Sequence, residues 1–79
     1  MATDFQVTVL DELILNNTKQ IERLKLFNAF WNREILAAKG EVLKMIQERI
    51  NQNHAEASMI SKMNEFFEGK KKEYEAESE

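Results

Sequence analysis

Apolar residues recur at helical spacing from the start of the chain. Phe5, Val9 and Leu13 follow one another at intervals of four, which predicts a first short helix over about 4–15. Apolar and polar residues also alternate over 5–10, so a strand is the alternative for this segment. The alternation stops at the acidic pair that follows, and helix is therefore the favoured interpretation.

A second apolar stripe is much longer and predicts one helix over about 18–51. Its members fall on one side of a helix drawn at 100° per residue: Ile21, Leu24, Phe27, Trp31, Ile35, Ala38, Val42, Met45 and Ile46. Gly40 lies opposite this stripe, where a glycine costs only about 1 kcal/mol relative to alanine. Because the stripe keeps its phase there, a continuous helix is expected, with a break at Gly40 as the alternative.

Polar clusters mark the predicted helix starts. Three pairs of residues have the three-residue spacing of a capping box: Thr3 with Gln6, Asn17 with Gln20, and Asn53 with Glu56. The last pair begins a third helix over about 54–68, which Gly69 and the lysines at 70–72 are expected to end. Residues 73–79 are mostly acidic and are predicted to form a flexible tail outside a single helical domain of residues 1–72.

These elements predict an all-α fold, either a small helical bundle or a hairpin with one long central helix, that self-associates. Spacings of three and four also describe a coiled-coil-like seam: Leu10, Ile14, Asn17, Ile21, Leu24, Asn28, Trp31, Ile35, Ala38, Val42 and Met45. Two asparagines make this seam irregular, which favours a short bundle over an extended coiled coil. A chain of 79 residues buries a limited core, so oligomerisation or a partner is expected to supplement it.

Two apolar surfaces are candidates for protein binding. The long helix has more apolar residues than one neighbour can cover, and the third helix has a face rich in methionine and phenylalanine, which adapts to varied surfaces. The candidate protein-binding residues are Leu26, Phe27, Phe30, Trp31, Met59, Met63 and Phe66. The alternative is that neighbouring helices cover the same residues in a compact core.

The composition argues against catalysis and metal binding. The chain has no cysteine and a single histidine, His54, so it lacks the ligand spacing of zinc sites and the dyads of acid–base catalysis. Ser58 and Ser61 have no neighbouring motif that would supply a base. We therefore expect no enzymatic activity, no cofactor and no bound metal.

Charge and hydropathy limit the classes of partner that the chain is expected to bind. A net charge of −3 disfavours nucleic acid, which clustered lysine and arginine bind. No apolar run approaches the roughly 18 residues of a membrane helix, and the lack of cysteine is compatible with a reducing compartment. The expectation is a cytoplasmic protein whose partner is another protein or a second copy.

The predicted function is a non-catalytic protein–protein interaction module, such as an adaptor, an assembly factor or a small chaperone-like subunit. The alternative is a small acidic inhibitor of a nucleic-acid-processing enzyme, of the kind that mobile elements encode. Its carboxylates would occupy a basic channel. The lysines at 70–72 are interpreted as a solvated helix end.

Overall fold

The computed structural model of the chain is a hairpin of two long helices. It describes the backbone of residues 2–77 and the side chains of residues 4–77. Helix α1 spans Ala2–Glu34 and helix α2 spans Gly40–Glu77. They pack side by side and antiparallel, in a rod that measures 59 × 14 × 12 Å. The predicted all-α fold is confirmed, in its hairpin form.

The chain reverses direction over residues 35–39. Three consecutive N–H groups, from Leu36 to Ala38, donate to carbonyl oxygens three residues earlier at 3.1 to 3.3 Å, which tightens the end of α1. Gly40 then has a φ of +62°, in the left-handed region that glycine adopts at low cost. The predicted continuous helix over 18–51 is therefore wrong, and its alternative, a break at Gly40, is correct.

The residues between the two helices repeat at spacings of three and four, as in a coiled coil. In α1 and the turn, the buried and half-buried positions include Leu10, Ile14, Asn17, Ile21, Leu24, Asn28, Trp31, Ile35 and Ala38. In α2 they include Leu43, Ile46, Ile50, Asn53, Ala57, Ile60, Asn64, Phe67, Lys71 and Tyr74. We call these two rows the seam.

The predicted coiled-coil-like seam is confirmed from Leu10 to Ala38 and wrong beyond it. Val42 and Met45 are 56% and 66% exposed. After the turn the seam resumes at Leu43, one position out of phase with the stripe before it. The apparent continuity of the stripe across Gly40 was a coincidence of spacing.

The predicted boundaries at 16–18 and 51–53 are also wrong, because both segments lie inside the helices. The asparagines that suggested caps face the seam instead: Asn17 is half-buried and Asn53 is buried. The predicted helix over 4–15 is the first part of α1, and the strand alternative is excluded. The Thr3 side chain of the first capping pair lies outside the described side chains.

The predicted third helix, over 54–68, has no separate start or end. Helix α2 passes through Gly69 without a break, because Phe67, Lys71 and Tyr74 continue the seam on either side of it. The acidic segment expected to be a flexible tail is helical as far as Glu77, and its Tyr74 is half-buried. Residues 78 and 79 of that predicted tail lie outside the described residues.

Candidate protein-binding face

Asparagines fix the register in which the two helices pair. Asn53 Nδ2 donates to Asn28 Oδ1 at 2.8 Å, and Asn28 Nδ2 donates to the carbonyl oxygen of Ile50 at 3.4 Å. Both asparagines are only 6% exposed, and a shifted pairing would leave their amides against apolar side chains. The register matters for function because it decides which flanking residues of the two helices become neighbours.

A second asparagine layer lies nearer the helix termini. Asn64 Nδ2 donates to the carbonyl oxygen of Ile14 at 3.5 Å and to Thr18 Oγ1 at 3.4 Å. The Oδ1 atom of Asn64 is buried and has no hydrogen-bond partner among the described residues. This layer therefore helps to fix the register of the two helices, while its unpartnered buried oxygen lowers the stability of the fold.

One side of the hairpin is predominantly polar. In an antiparallel pair, residues that directly follow seam positions lie on the same side of both helices. Here they include Asp11, Thr18, Lys25 and Asn32 from α1, and Gln47, His54, Ser61, Glu68 and Glu75 from α2. Leu15 is an exposed apolar exception at the outer edge of this side.

The polar side has its own cross-helix bonds. Lys71 Nζ lies 2.8 Å from Asp11 Oδ1 and 3.9 Å from Glu75 Oε1. The hydrogen bond and the charge of Asp11 raise the pKa of Lys71 above its ordinary value. Together with the Asn64–Thr18 bond, this pair links the two helices on a side that water covers.

The opposite side is apolar, and we call it the apolar face. Nine of its residues directly precede seam positions, and Phe5 lines the same groove nearer the helix termini. They are Phe5, Val9, Leu13, Phe27 and Phe30 from α1, and Val42, Met45, Met59, Met63 and Phe66 from α2. They are ten of the thirteen exposed large apolar side chains among the described residues. Exposed apolar residues scattered singly are ordinary, whereas a contiguous set on one side marks a binding surface.

Near the helix termini, a groove runs along the apolar face between the two helices. Phe5 and Val9 of α1 line it together with Phe66 and Tyr74 of α2. The Phe66 ring packs edge-on against Phe67, with centroids 5.9 Å apart, and Lys70 Nζ lies 5.9 Å from the Phe66 centroid. The aromatic rings are therefore held in place by their neighbours while one side remains open to solvent.

Near the turn, two adjoining grooves continue along the same face. Phe27, Phe30 and Trp31 line one together with Arg49, and the other lies between Trp31 and the exposed Met45. The Phe30 and Trp31 rings meet edge-on with centroids 5.0 Å apart. Such an aromatic pair is a favourable anchor for a partner because it offers large apolar area with few rotatable bonds.

A polar band separates these two apolar patches. Gln20 Nε2 donates to Glu56 Oε1 at 3.3 Å across the hairpin. Arg23 lies one helical turn beyond Gln20 and, like it, directly precedes a seam residue. The apolar face thus consists of a patch near the turn and a patch near the termini, with hydrogen-bonding and charged groups between them.

The structure brings most of the predicted protein-binding residues to one side. Phe27, Phe30, Met59, Met63 and Phe66 lie on the apolar face, and Trp31 is a half-buried seam residue that lines its grooves. Leu26 is exposed, but it lies on the outer surface of α1, away from the seam.

Sequence reasoning missed five members of the apolar face. These are Phe5, Val9, Leu13, Val42 and Met45. The first three were recognised only as helix periodicity, and the last two were assigned to the internal stripe. Pairing the heptads of an antiparallel hairpin would have found the last four, since each directly precedes a seam position.

The described residues show neither a metal site nor a membrane-spanning helix. Among residues 4–77, no three histidine, aspartate or glutamate side chains are grouped so that they could hold a metal ion. Neither described helix contains a stretch long and apolar enough to cross a membrane. Comparison of the chain with protein-family models, with curated proteins and with solved structures gave no match.

Proposed function

We propose that the chain is a non-catalytic protein–protein interaction module that binds through its apolar face. The observation that carries this proposal is the separation of the two sides: ten exposed large apolar side chains lie on one side, and the polar cross-helix bonds of Lys71 and Asn64 lie on the other. Adaptor, assembly-factor and chaperone-like roles all use such a surface.

The energetics of the face support binding. Burying apolar area contributes about 25 cal/mol per Å², and half-exposed aromatic rings such as Phe30 and Phe66 still have much of their area to bury. Aromatic residues and methionine are also enriched at the centres of protein interfaces. A surface of this composition is stabilised when another apolar surface covers it.

The chemistry of the partner follows from the layout of the face. Its two patches are apolar and aromatic, and the band between them offers an amide, a carboxylate and a guanidinium group at Gln20, Glu56 and Arg23. A partner helix pair with apolar ends and a polar middle complements this pattern. Helix faces laid into apolar grooves are a common mode of recognition.

Site-specific photo-cross-linking tests the proposal. A benzophenone amino acid replaces Phe30 on the apolar face, and in a matched chain it replaces His54 on the polar side. Irradiation of the cells that make the protein should convert much of the chain with the probe in place of Phe30 into higher-mass protein adducts. The chain with the probe in place of His54 should stay unchanged. Equal cross-linking at the two positions, or none at Phe30, would show that the apolar face does not bind protein.

A further inference from the structure

We infer that the partner of the apolar face is a second copy of this chain, in a two-fold symmetric four-helix bundle whose turns lie at the same end. This inference rests on the proposed function and names its partner. Three observations carry it: the surface area of the hairpin, its small buried core, and the charged side chains along the apolar face.

The hairpin exposes more surface than a compact chain of its mass. Its accessible area is 6347 Å², whereas a folded monomer of 9.3 kDa is expected to expose about 5,000 Å². The footprint of one side, 59 × 14 Å, is about 830 Å², and a standard interface covers about 800 Å² per partner. A second copy of the same length would cover the face from end to end.

The buried part of the hairpin is correspondingly small. Leu10, Leu24 and Ile46 are the only apolar residues below a tenth exposed among the described side chains. Seam residues such as Trp31 and Phe67 are half-buried and line the open grooves of the apolar face. A second copy on the apolar face would complete the burial of these seam residues.

The pattern of charges favours a two-fold axis that runs parallel to the long axis of the hairpin. With the turns together, α1 of one copy lies on α2 of the other at equal height. The Asn28–Asn53 bond places those two residues at the same height. Arg23 and Glu56 both lie about one turn nearer the helix termini, so Arg23 approaches Glu56 of the second copy. Arg49 borders Trp31, and Glu34, one turn beyond, therefore approaches Arg49 of the second copy.

The reverse orientation forms fewer favourable pairs. With the turns at opposite ends, α1 lies antiparallel on α1, and Arg23 meets Asn16 and Gln20 of the second copy. Two acid–base pairs, each repeated by symmetry, are then lost. Electrostatic complementarity of this kind selects orientation more than it adds affinity.

Mass and distance measurements on the full chain test the inference. Sedimentation at tens of micromolar should give a dimer. Replacing Phe27 by serine should raise the dissociation constant at least tenfold, whereas Leu15→Ser should change it less than twofold. The two side chains are a matched pair, because each is 48% exposed and they lie on opposite sides. Circular dichroism should show that both variants remain helical.

Spin labels test the orientation without disturbing the face. The chain has no cysteine, so Lys39→Cys in the turn gives a single labelled position. Turn labels in the predicted dimer lie close together, whereas turns at opposite ends would place them near the 59 Å length of the hairpin. The longer distance, or a dimer insensitive to Phe27→Ser, would overturn the inference.

A folded monomer at these concentrations would also overturn the inference. It would leave the proposed function standing if the Phe30 photoprobe still forms adducts with another protein. If that probe forms none, the proposed function fails independently of the mass.

Discussion

The two sides of the hairpin have the same helices and the same register, and they differ in whether their side chains already have partners. On the polar side, Lys71 pairs with Asp11 and Thr18 accepts from Asn64, so the helices are linked there within the chain. On the apolar face, rings such as Phe30 and Phe66 pack edge-on against one neighbouring ring and leave about half of their area in solvent. Polar groups can be satisfied by water, whereas apolar area is stabilised only by being covered.

This difference indicates that the seam and the apolar face have separate tasks. The seam holds the two helices together and fixes their register, whereas the apolar face remains available to contact another surface. Variants at adjacent residues can separate the two tasks, because a residue on the face directly precedes each of several seam positions.

The largest expected effect is at Ile46, beside its neighbour Met45. Ile46 is 7% exposed in the seam, so Ile46→Ala should lower the free energy of unfolding by about 2 to 5 kcal/mol. Met45→Ala removes an exposed side chain and should stay within about 0.5 kcal/mol of the parent. Urea denaturation in dilute solution measures both, and equal losses would mean that the face is part of the core of the hairpin.

The next largest effect is expected at the buried asparagine pair. Asn53→Ala leaves Asn28 Oδ1 buried without its donor and should cost about 1 to 3 kcal/mol. Replacing both Asn28 and Asn53 by leucine removes the unpaired group, and this double variant should be more stable than Asn53→Ala alone. Thermal melts of the two variants decide the matter, with His54→Ala as the exposed control. A double variant less stable than the single one would show that the pair contributes more than register.

A smaller effect is expected from the ion pair of the polar side. The pKa of Lys71 is raised in the folded chain by Asp11, so the pair stabilises the hairpin fully below the ordinary lysine pKa, and this stabilisation is lost as pH rises through the raised pKa. Over that alkaline range, the parent should lose slightly more stability than Lys71→Met. Lys72→Met, at a neighbouring exposed position, should follow the parent. Identical pH profiles for all three chains would show that the pair contributes nothing measurable.

Much of this fold is predictable from the sequence, and the errors in the predicted helix starts have one physical source. Asparagine favours both helix caps and single polar positions of coiled coils, and local sequence does not distinguish the two. Asn17 and Asn53 were therefore interpreted as helix starts, although both lie in the seam. Their identity as seam residues depends on a partner helix that is far away in sequence.

The turn was difficult to predict because its residues give little sign of a chain reversal. Residues 35–39 include isoleucine, leucine and two alanines, which are not typical of turns, and only Gly40 indicates the reversal. The apolar stripe continues past Gly40 in the sequence because Val42 and Met45 happen to fall at the same helical spacing. Their place on the apolar face depends on how α2 pairs with α1, which the local sequence does not show.

The central claim, that the apolar face is covered by protein while the polar side stays open, is tested most directly by hydroxyl-radical footprinting. Met45, Met59 and Met63 lie on the face, and methionine is readily oxidised where it is exposed. Leu36 in the turn, 87% exposed, is the internal reference. In the cells that make the protein, the three methionines should be oxidised several-fold more slowly relative to Leu36 than in the dilute purified chain. Equal relative rates in the two conditions would contradict the claim, because the face would then be as open to water in the cell as it is in the isolated hairpin.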